Sequence, residues 1–164
     1  MPFTNYGTGD DEDLYYAILG LTTGPGSDPQ FDALPLSSQA LHIAAIFEME
    51  ILNGGLCQFF MNCRSDYIPR VSASLREIGM FPMADLYEAF LSEHQINPEE
   101  FDSLPRDNHQ VYIDQCNRYP FDAFNKTFEK LWESLNFENA MVQYANKHLE
   151  AFPLKQAEPG ASDT

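Results

Sequence analysis

Basic residues are scarce in this sequence. Its 164 residues include nine Lys and Arg against 25 Asp and Glu, which gives a net charge of −16 and a pI near 4.3. None of the nine basic residues precedes Arg64. A chain this acidic is repelled by the phosphates of nucleic acids and by anionic lipid surfaces. The composition therefore disfavours direct nucleic-acid binding and membrane binding, and it favours a basic partner.

Long apolar runs and a secretory leader are also missing. The longest run without tyrosine, Ile43 to Phe47, has five residues, whereas a membrane-spanning helix needs about 20. The first 13 residues contain neither a basic region nor an apolar one, so no secretory signal is visible. The three cysteines are odd in number. We therefore expect reduced thiols in a cytoplasmic protein rather than a disulfide framework.

Signatures of metal and cofactor sites are absent as well. Five residues separate Cys57 from Cys63, which is outside the spacing of zinc ribbons, and no two histidines stand four residues apart. The acidic run at 9–13 lacks the alternating ligands and the central glycine of a calcium loop. No glycine-rich phosphate loop is present. We expect no metal and no cofactor.

Helical periodicity, in contrast, runs through most of the chain. Hydrophobic residues make up 44% of the sequence, and no window shows the period-two alternation of a strand. We predict an all-α fold, a single compact helical bundle of seven to nine helices that spans residues 1–152. Residues 1–10 are expected to be loosely ordered, and 153–164 to form a frayed tail.

Local signals place the individual helices. The predicted helices begin near residues 11, 38, 56, 69, 82, 107, 122 and 136, and Ser37 or Ser38, Asp122 and Asn136 are candidate N-caps. The helix that begins near residue 38 is apolar around almost its whole circumference, so we place it at the centre of the fold. Asn53-Gly54-Gly55 should end it, because these residues tolerate the left-handed conformation of a helix C-terminus.

Acidic residues concentrate in two blocks, Asp10 to Asp13 and Asp85 to Asp102, and between Arg76 and Arg106 there are seven acids and no base. Surface helices with salt bridges normally alternate the sign of their charges, and this segment does not. One interpretation is a solvated acidic face. The other is mimicry of DNA, in which carboxylates about 5–6 Å apart on helix faces replace phosphates. The candidate partner-binding acids are Asp10, Asp11, Glu12, Asp13, Asp85, Glu88, Glu93, Glu99, Glu100 and Asp102.

Polar residues also interrupt the apolar middle of the chain. Glu48 falls within the apolar stripe of the central helix, where a carboxylate must be hydrogen-bonded, paired or protonated. Asn53, Gln58 and Asn62 follow, and we expect a structural polar network that joins two helices. The rival interpretation is a ligand or catalytic pocket built from Glu48, Gln58 and His42. Nothing places a nucleophile beside a base, so we expect no enzyme.

The segment FEMEILNGGLCQFFMN at 47–62, followed by ASLREIG at 73–79, resembles a bacterial family of small, acidic, all-helical DNA-mimic proteins. Leu56 stands where the usual member has an aromatic residue. The resemblance implies an all-α fold, a homodimer without catalytic activity, and competition with DNA for a helix-turn-helix transcription regulator. The motif residues mark the fold rather than the partner contact; they are Glu48, Asn53, Gly54, Gly55, Gln58 and Asn62.

Two functional hypotheses follow. In the first, the protein is a DNA mimic that binds a basic, DNA-binding regulator through its two acidic blocks. In the alternative, it is an acidic helical protein of the immunity type, which binds a basic partner that does not bind DNA, such as a toxin. Both hypotheses need only a basic partner surface, so the sequence does not separate them. Self-association is expected in the last third of the chain, where acids and bases are nearly mixed.

Overall fold

The computed structural model describes residues 31–148, and within this range the chain contains helices and no β-strand. The all-α prediction is therefore confirmed. The range holds six α-helices, so the predicted count of seven to nine is not confirmed. The helices are α1 (Leu36–Tyr67), α2 (Val71–Glu77), α3 (Phe81–Glu93), α4 (His109–Cys116), α5 (Phe121–Leu135) and α6 (Phe137–Lys147). Short 3-10 segments lie at Phe31–Ala33, Ile68–Arg70 and Pro98–Phe101.

Several sequence-based expectations concern residues outside this range. The predicted helix near residue 11, the acidic block Asp10–Asp13, the loosely ordered residues 1–10 and the tail at 153–164 all lie outside the described residues.

Helix α1 forms the centre of the fold, as its apolar circumference predicts. Leu41, Ala44 and Phe47 have no exposed surface in its first half, and Phe59 and Phe60 have none in its second half. The other helices pack around these residues in one hydrophobic cluster. Phe47 meets Phe59 and Tyr87 edge to face, with ring centroids 5.2 Å apart in both pairs, which is a favoured aromatic geometry.

The backbone of α1 leaves the helical conformation at Gly55, which has φ 80° and ψ 179°. The predicted break at Asn53-Gly54-Gly55 is therefore confirmed, and a second half of α1 begins at once. Asn125 of α5 caps that second half, because its side-chain oxygen accepts a hydrogen bond from the Leu56 amide at 2.9 Å. A Cβ atom at position 55 would lie 2.3 Å from the amide nitrogen of Asn125, so the kink requires glycine for both its φ and its space.

Two of the predicted N-caps are wrong, and one is confirmed. Helix α1 begins after Pro35 and α5 after Pro120, in both cases without a side-chain cap, so Ser37, Ser38 and Asp122 do not act as caps. Both helices start one or two residues earlier than the polar residues suggested. Proline has a fixed φ that suits the start of a helix, and its missing amide costs nothing there, because the first amides of a helix have no partner within the helix. Asn136 caps α6 as expected and accepts from the Asn139 amide at 3.1 Å.

The expectation that all cysteines are reduced is also wrong. Cys57 and Cys116 form a disulfide with their Cα atoms 5.5 Å apart, and Cys63 is the free, buried cysteine of the described residues. The bond joins the second half of α1 to the last residue of α4 across 59 positions of sequence. No local pattern reveals such a pair, because only the packing of α4 against α1 brings the two residues together.

By length and composition alone, the helical stretch Leu36–Glu77 could cross a membrane, since its most apolar 18-residue window has a mean hydropathy of 1.3. Within the fold, however, 67% of that window is buried, and Gly55 and Arg64 interrupt the helix. These properties are typical of the core helix of a folded domain.

We expect Gly55→Ala to lower the free energy of unfolding by about 2–4 kcal/mol, because alanine is strained at positive φ and its Cβ displaces the Asn125 cap. Gly79→Ala is the matched control: Gly79 has φ +86°, but nothing lies within 4 Å of its Cβ position. The control should cost only about 1–2 kcal/mol. Urea unfolding measures both, and equal losses would contradict the role of Asn125.

Candidate partner-binding surface

Helix α3 separates an apolar face from an acidic one. Its buried residues are Met83, Ala84, Tyr87 and Phe90. Asp85 and Glu88 lie exposed on the same helix. The helix therefore presents carboxylates to solvent from a backbone that is held by the core.

Arg76 compensates part of this acidic face. It comes from the end of α2, and one nitrogen of its guanidinium lies 2.7 Å from both Asp85 Oδ1 and Glu88 Oε2. The hydrogen bond from Arg76 holds the pKa of Glu88 below its usual range, and the two carboxylates raise the pKa of Arg76. Sequence reasoning found no base among these acids, because the base that faces them belongs to the preceding helix. One arginine against two carboxylates still leaves a negative site.

The loop after α3 is fixed to α1 by its backbone. Phe101 is buried against Phe60, with ring centroids 5.1 Å apart. Arg64 donates to the carbonyl oxygens of Asp102 at 2.5 Å and Leu104 at 2.7 Å. Arg64 adopts φ 53° and ψ −155°, a strained conformation for a residue with a side chain. The loop that carries Glu99, Glu100 and Asp102 is thus held in place at several points.

The Asp102 carboxylate is itself positioned by Ser65. The Ser65 amide donates to one carboxylate oxygen at 3.1 Å, and the Ser65 hydroxyl donates to the other at 2.7 Å. These hydrogen bonds to the charged form lower the pKa of Asp102. Asp102 is therefore a fixed negative charge at the surface.

The remaining acids of this region differ in their partners. Glu100 Oε2 lies 2.9 Å from a guanidinium nitrogen of Arg118, an ion pair without hydrogen-bond geometry. Glu93 and Glu99 are exposed, and within residues 31–148 neither forms a salt bridge. We call residues 85–102 the acidic segment. It combines two uncompensated carboxylates with others whose positions are set by arginine or serine.

The polar motif residues converge on Glu50 rather than on Glu48. The side-chain amides of Gln58 and Asn62 both donate to Glu50 Oε2, at 2.8 and 2.9 Å. Glu48 is only 1% exposed and accepts a hydrogen bond of 2.6 Å from the Trp132 indole nitrogen. Sequence reasoning missed Glu50, which lies eight residues before Gln58 and on the other side of the Gly55 kink.

The other motif residues, Asn53 and Gly54, are exposed beside the kink. A Cβ at Gly54 would lie 2.0 Å from the side-chain oxygen of Gln58. Glycine at this position therefore leaves room for Gln58 to reach back to Glu50.

The rival pocket is not assembled. His42 is buried and shares a hydrogen bond of 2.8 Å with the Tyr67 hydroxyl. Burial lowers the pKa of His42 to about 4 and raises that of Tyr67 to about 12, so both are neutral near pH 7. His42, Glu48 and Gln58 thus bond to three different partners instead of facing a common space.

A concave surface lies away from His42, Glu48 and Gln58. An open groove of about 640 Å³ lies between the start of α1 and α2, where Leu36, Ala40 and Ile43 face Arg70 and Ala73. Among the described residues, no group of three or more His, Cys, Asp or Glu could hold a metal ion.

Arg76→Gln should raise the pKa of Glu88, because the substitution removes the cation that stabilises its charged form. At pH values above the ordinary pKa of a glutamate, the ion pair between Arg76 and Glu88 stabilises the fold. This contribution is lost as the pH falls through the lowered pKa that Glu88 has in the folded state. Titration by NMR of the carboxyl carbons measures the shift. Asp102 is an internal control, since Ser65 sets its pKa. An unchanged Glu88 in the variant would contradict the assignment.

Comparison with known proteins identifies the family. The family model described as DMP19-like protein matches residues 32–148, which is more than two thirds of the chain. No curated protein and no solved structure matches the chain. The match confirms the resemblance seen in the sequence and indicates a DNA-mimic function, and such families are in general not enzymatic. The chain belongs to the DMP19-like family, the family of DNA mimic protein 19.

Proposed function

We propose that this protein binds a basic transcription regulator of the helix-turn-helix type through its acidic surface and keeps it from DNA. The observation that carries the proposal is the charge excess of the acidic segment. Residues 77–105 hold seven acids and no base of their own, and Arg76 and Arg118 pair with only three of them. A basic surface that reads DNA meets a comparable negative field here.

The rigidity of the carboxylates supports the same proposal. Duplex DNA presents one negative charge per about 1.7 Å of its axis, and its partners match that pattern with Lys and Arg. Asp85, Glu88 and Asp102 are held by hydrogen bonds from Arg76 or Ser65. Carboxylates already ordered before binding lose little conformational entropy when a partner docks. We assign them, with Glu93, Glu99 and Glu100, as the phosphate-mimicking groups, together with Asp10–Asp13.

We also propose that the protein is a homodimer and works in the cytoplasm. Two copies of the acidic segment repel each other, so the self-interface belongs on the last third of the chain, where nine acids accompany five bases. A bacterial DNA-binding regulator acts where the DNA is, which places its inhibitor in the same compartment.

Glu93→Gln with Glu99→Gln should weaken partner binding about tenfold or more, since the change removes two uncompensated charges from the acidic segment without altering side-chain shape. Glu129→Gln with Glu133→Gln on α5 is the matched control and should bind like wild type. The partner is captured from a bacterial lysate, purified, and titrated by calorimetry against each variant. Equal affinities for the two double variants would contradict the assignment of the acidic segment.

Salt and DNA competition test the mimicry itself. The affinity should fall steeply between about 50 and 200 mM salt, as it does for phosphate contacts, and duplex DNA bound by the captured protein should displace the mimic. An affinity independent of salt would overturn the proposal. Binding to a partner that does not bind DNA would overturn it in favour of the immunity-type alternative.

A further inference from the structure

Helix α4 is weakly held by burial. It has eight residues, and none of them is buried. Val111, Tyr112 and Cys116 are partly buried against the core, and the side-chain oxygen of Gln115 is buried without a hydrogen bond within the described residues. A helix this short is not stable by itself in water. The disulfide from Cys116 to Cys57 is therefore a principal attachment of α4 to the fold.

The same attachment sets the position of Arg118. This residue follows Cys116 by two positions, and its guanidinium lies 5.2 Å from the Tyr119 ring centroid and 2.9 Å from Glu100 Oε2. Arg118 is the only base paired with Glu100 among the described residues. Because the ion pair has no hydrogen-bond geometry, Arg118 is kept over the acidic segment by the path of the chain, which is attached at Cys116 on one side and at Tyr119, packed against His94 and Phe121, on the other.

Access and reactivity confine thiol exchange to this pair. Cys57 is 3% exposed, whereas Cys116 is partly buried at the end of its helix, so Cys116 is the more accessible residue of the pair. Cys63 does not take part, because burial and the nearby Glu50 charge raise the pKa of its thiol to about 12. At neutral pH that thiol stays protonated and is a poor nucleophile.

We propose that the Cys57–Cys116 disulfide is a redox latch, whose reduction releases α4 and withdraws Arg118 from Glu100. The reduced protein then presents one more uncompensated carboxylate in the acidic segment. Only this last consequence, stronger binding of a basic partner by the reduced form, rests on the proposed function. The release of α4 stands on the geometry alone.

The reductant is a thiol of the low-molecular-weight or dithiol-protein class. Its thiolate attacks the Cys116 sulfur and forms a mixed disulfide there, and Cys57 leaves as a thiolate that takes up a proton. A second thiol attacks the mixed disulfide and releases Cys116 as a thiol. Two thiols of the reductant are thereby oxidised to one disulfide, and their two electrons reduce the protein disulfide to two cysteines.

Limited trypsin digestion of the full chain tests the latch without any partner. After equilibration with oxidised glutathione or with dithiothreitol, cleavage after Arg118 should be at least about tenfold faster in the reduced protein. Cleavage after Lys126 and Lys130 in α5 is the internal control and should not change. Hydrogen exchange of residues 110–118 should increase in parallel.

Variants separate the disulfide from other effects of the reductant. Cys63→Ser should respond to dithiothreitol like wild type, whereas Cys57→Ser with Cys116→Ser should be cleaved at the fast rate in either buffer. The wild-type comparison needs neither variant, so a folding defect in the double variant leaves the test intact. Equal cleavage in both buffers would overturn the latch, as would maleimide labelling of Cys57 and Cys116 after oxidation.

The partner enters only in a last step. If the regulator captured above binds the reduced protein more tightly than the oxidised one, and Arg118→Gln removes the difference, the consequence for binding is supported. Equal or weaker binding by the reduced form overturns that consequence. If this protein binds no regulator in either redox state, the proposed function is refuted, whereas the digestion result remains valid.

Discussion

The fold of this chain is organised around the break of α1 at Gly55. A straight helix from Leu36 to Tyr67 would carry its second half away from the aromatic cluster around Phe47. The positive φ of Gly55 and the Asn125 cap turn that half back into the core. The contacts that attach Phe101, Asp102, Leu104 and Cys116 to the centre of the molecule then come from the turned half.

The second half of α1 makes a different kind of contact at each of these attachments. Phe60 receives the buried ring of Phe101, Arg64 and Ser65 hold the backbone and carboxylate of Asp102, and Cys57 is bonded to Cys116. A buried helix thus sets the position of exposed charges. This arrangement is consistent with a protein whose function depends on where its carboxylates stand, because a negative field on a rigid frame can be read by a partner shaped for DNA.

Like charges on a compact fold repel, and the structure limits this cost with few bases. Arg76 lies between Asp85 and Glu88, and Arg118 lies beside Glu100, whereas Glu93 and Glu99 have no such partner within residues 31–148. Because both arginines come from outside the acidic segment, a count of charges along the chain sees only acids there. The sequence-based expectation of an uncompensated helix α3 was therefore too simple, although the excess of negative charge remains.

Local signals in the sequence were sufficient to predict the helical class, the central position of α1, the break at Asn53-Gly54-Gly55, the Asn136 cap and the acidic character of residues 77–105. These features follow from local periodicity, backbone preference and composition, which act within a few residues. The side-chain pairings, in contrast, became visible only in the folded molecule: Glu50, and not Glu48, accepts hydrogen bonds from Gln58 and Asn62, Arg76 bridges two acids, and Cys57 is bonded to Cys116. Such pairings depend on how helices cross, and crossing is set by the packing of side chains that lie far apart in the chain.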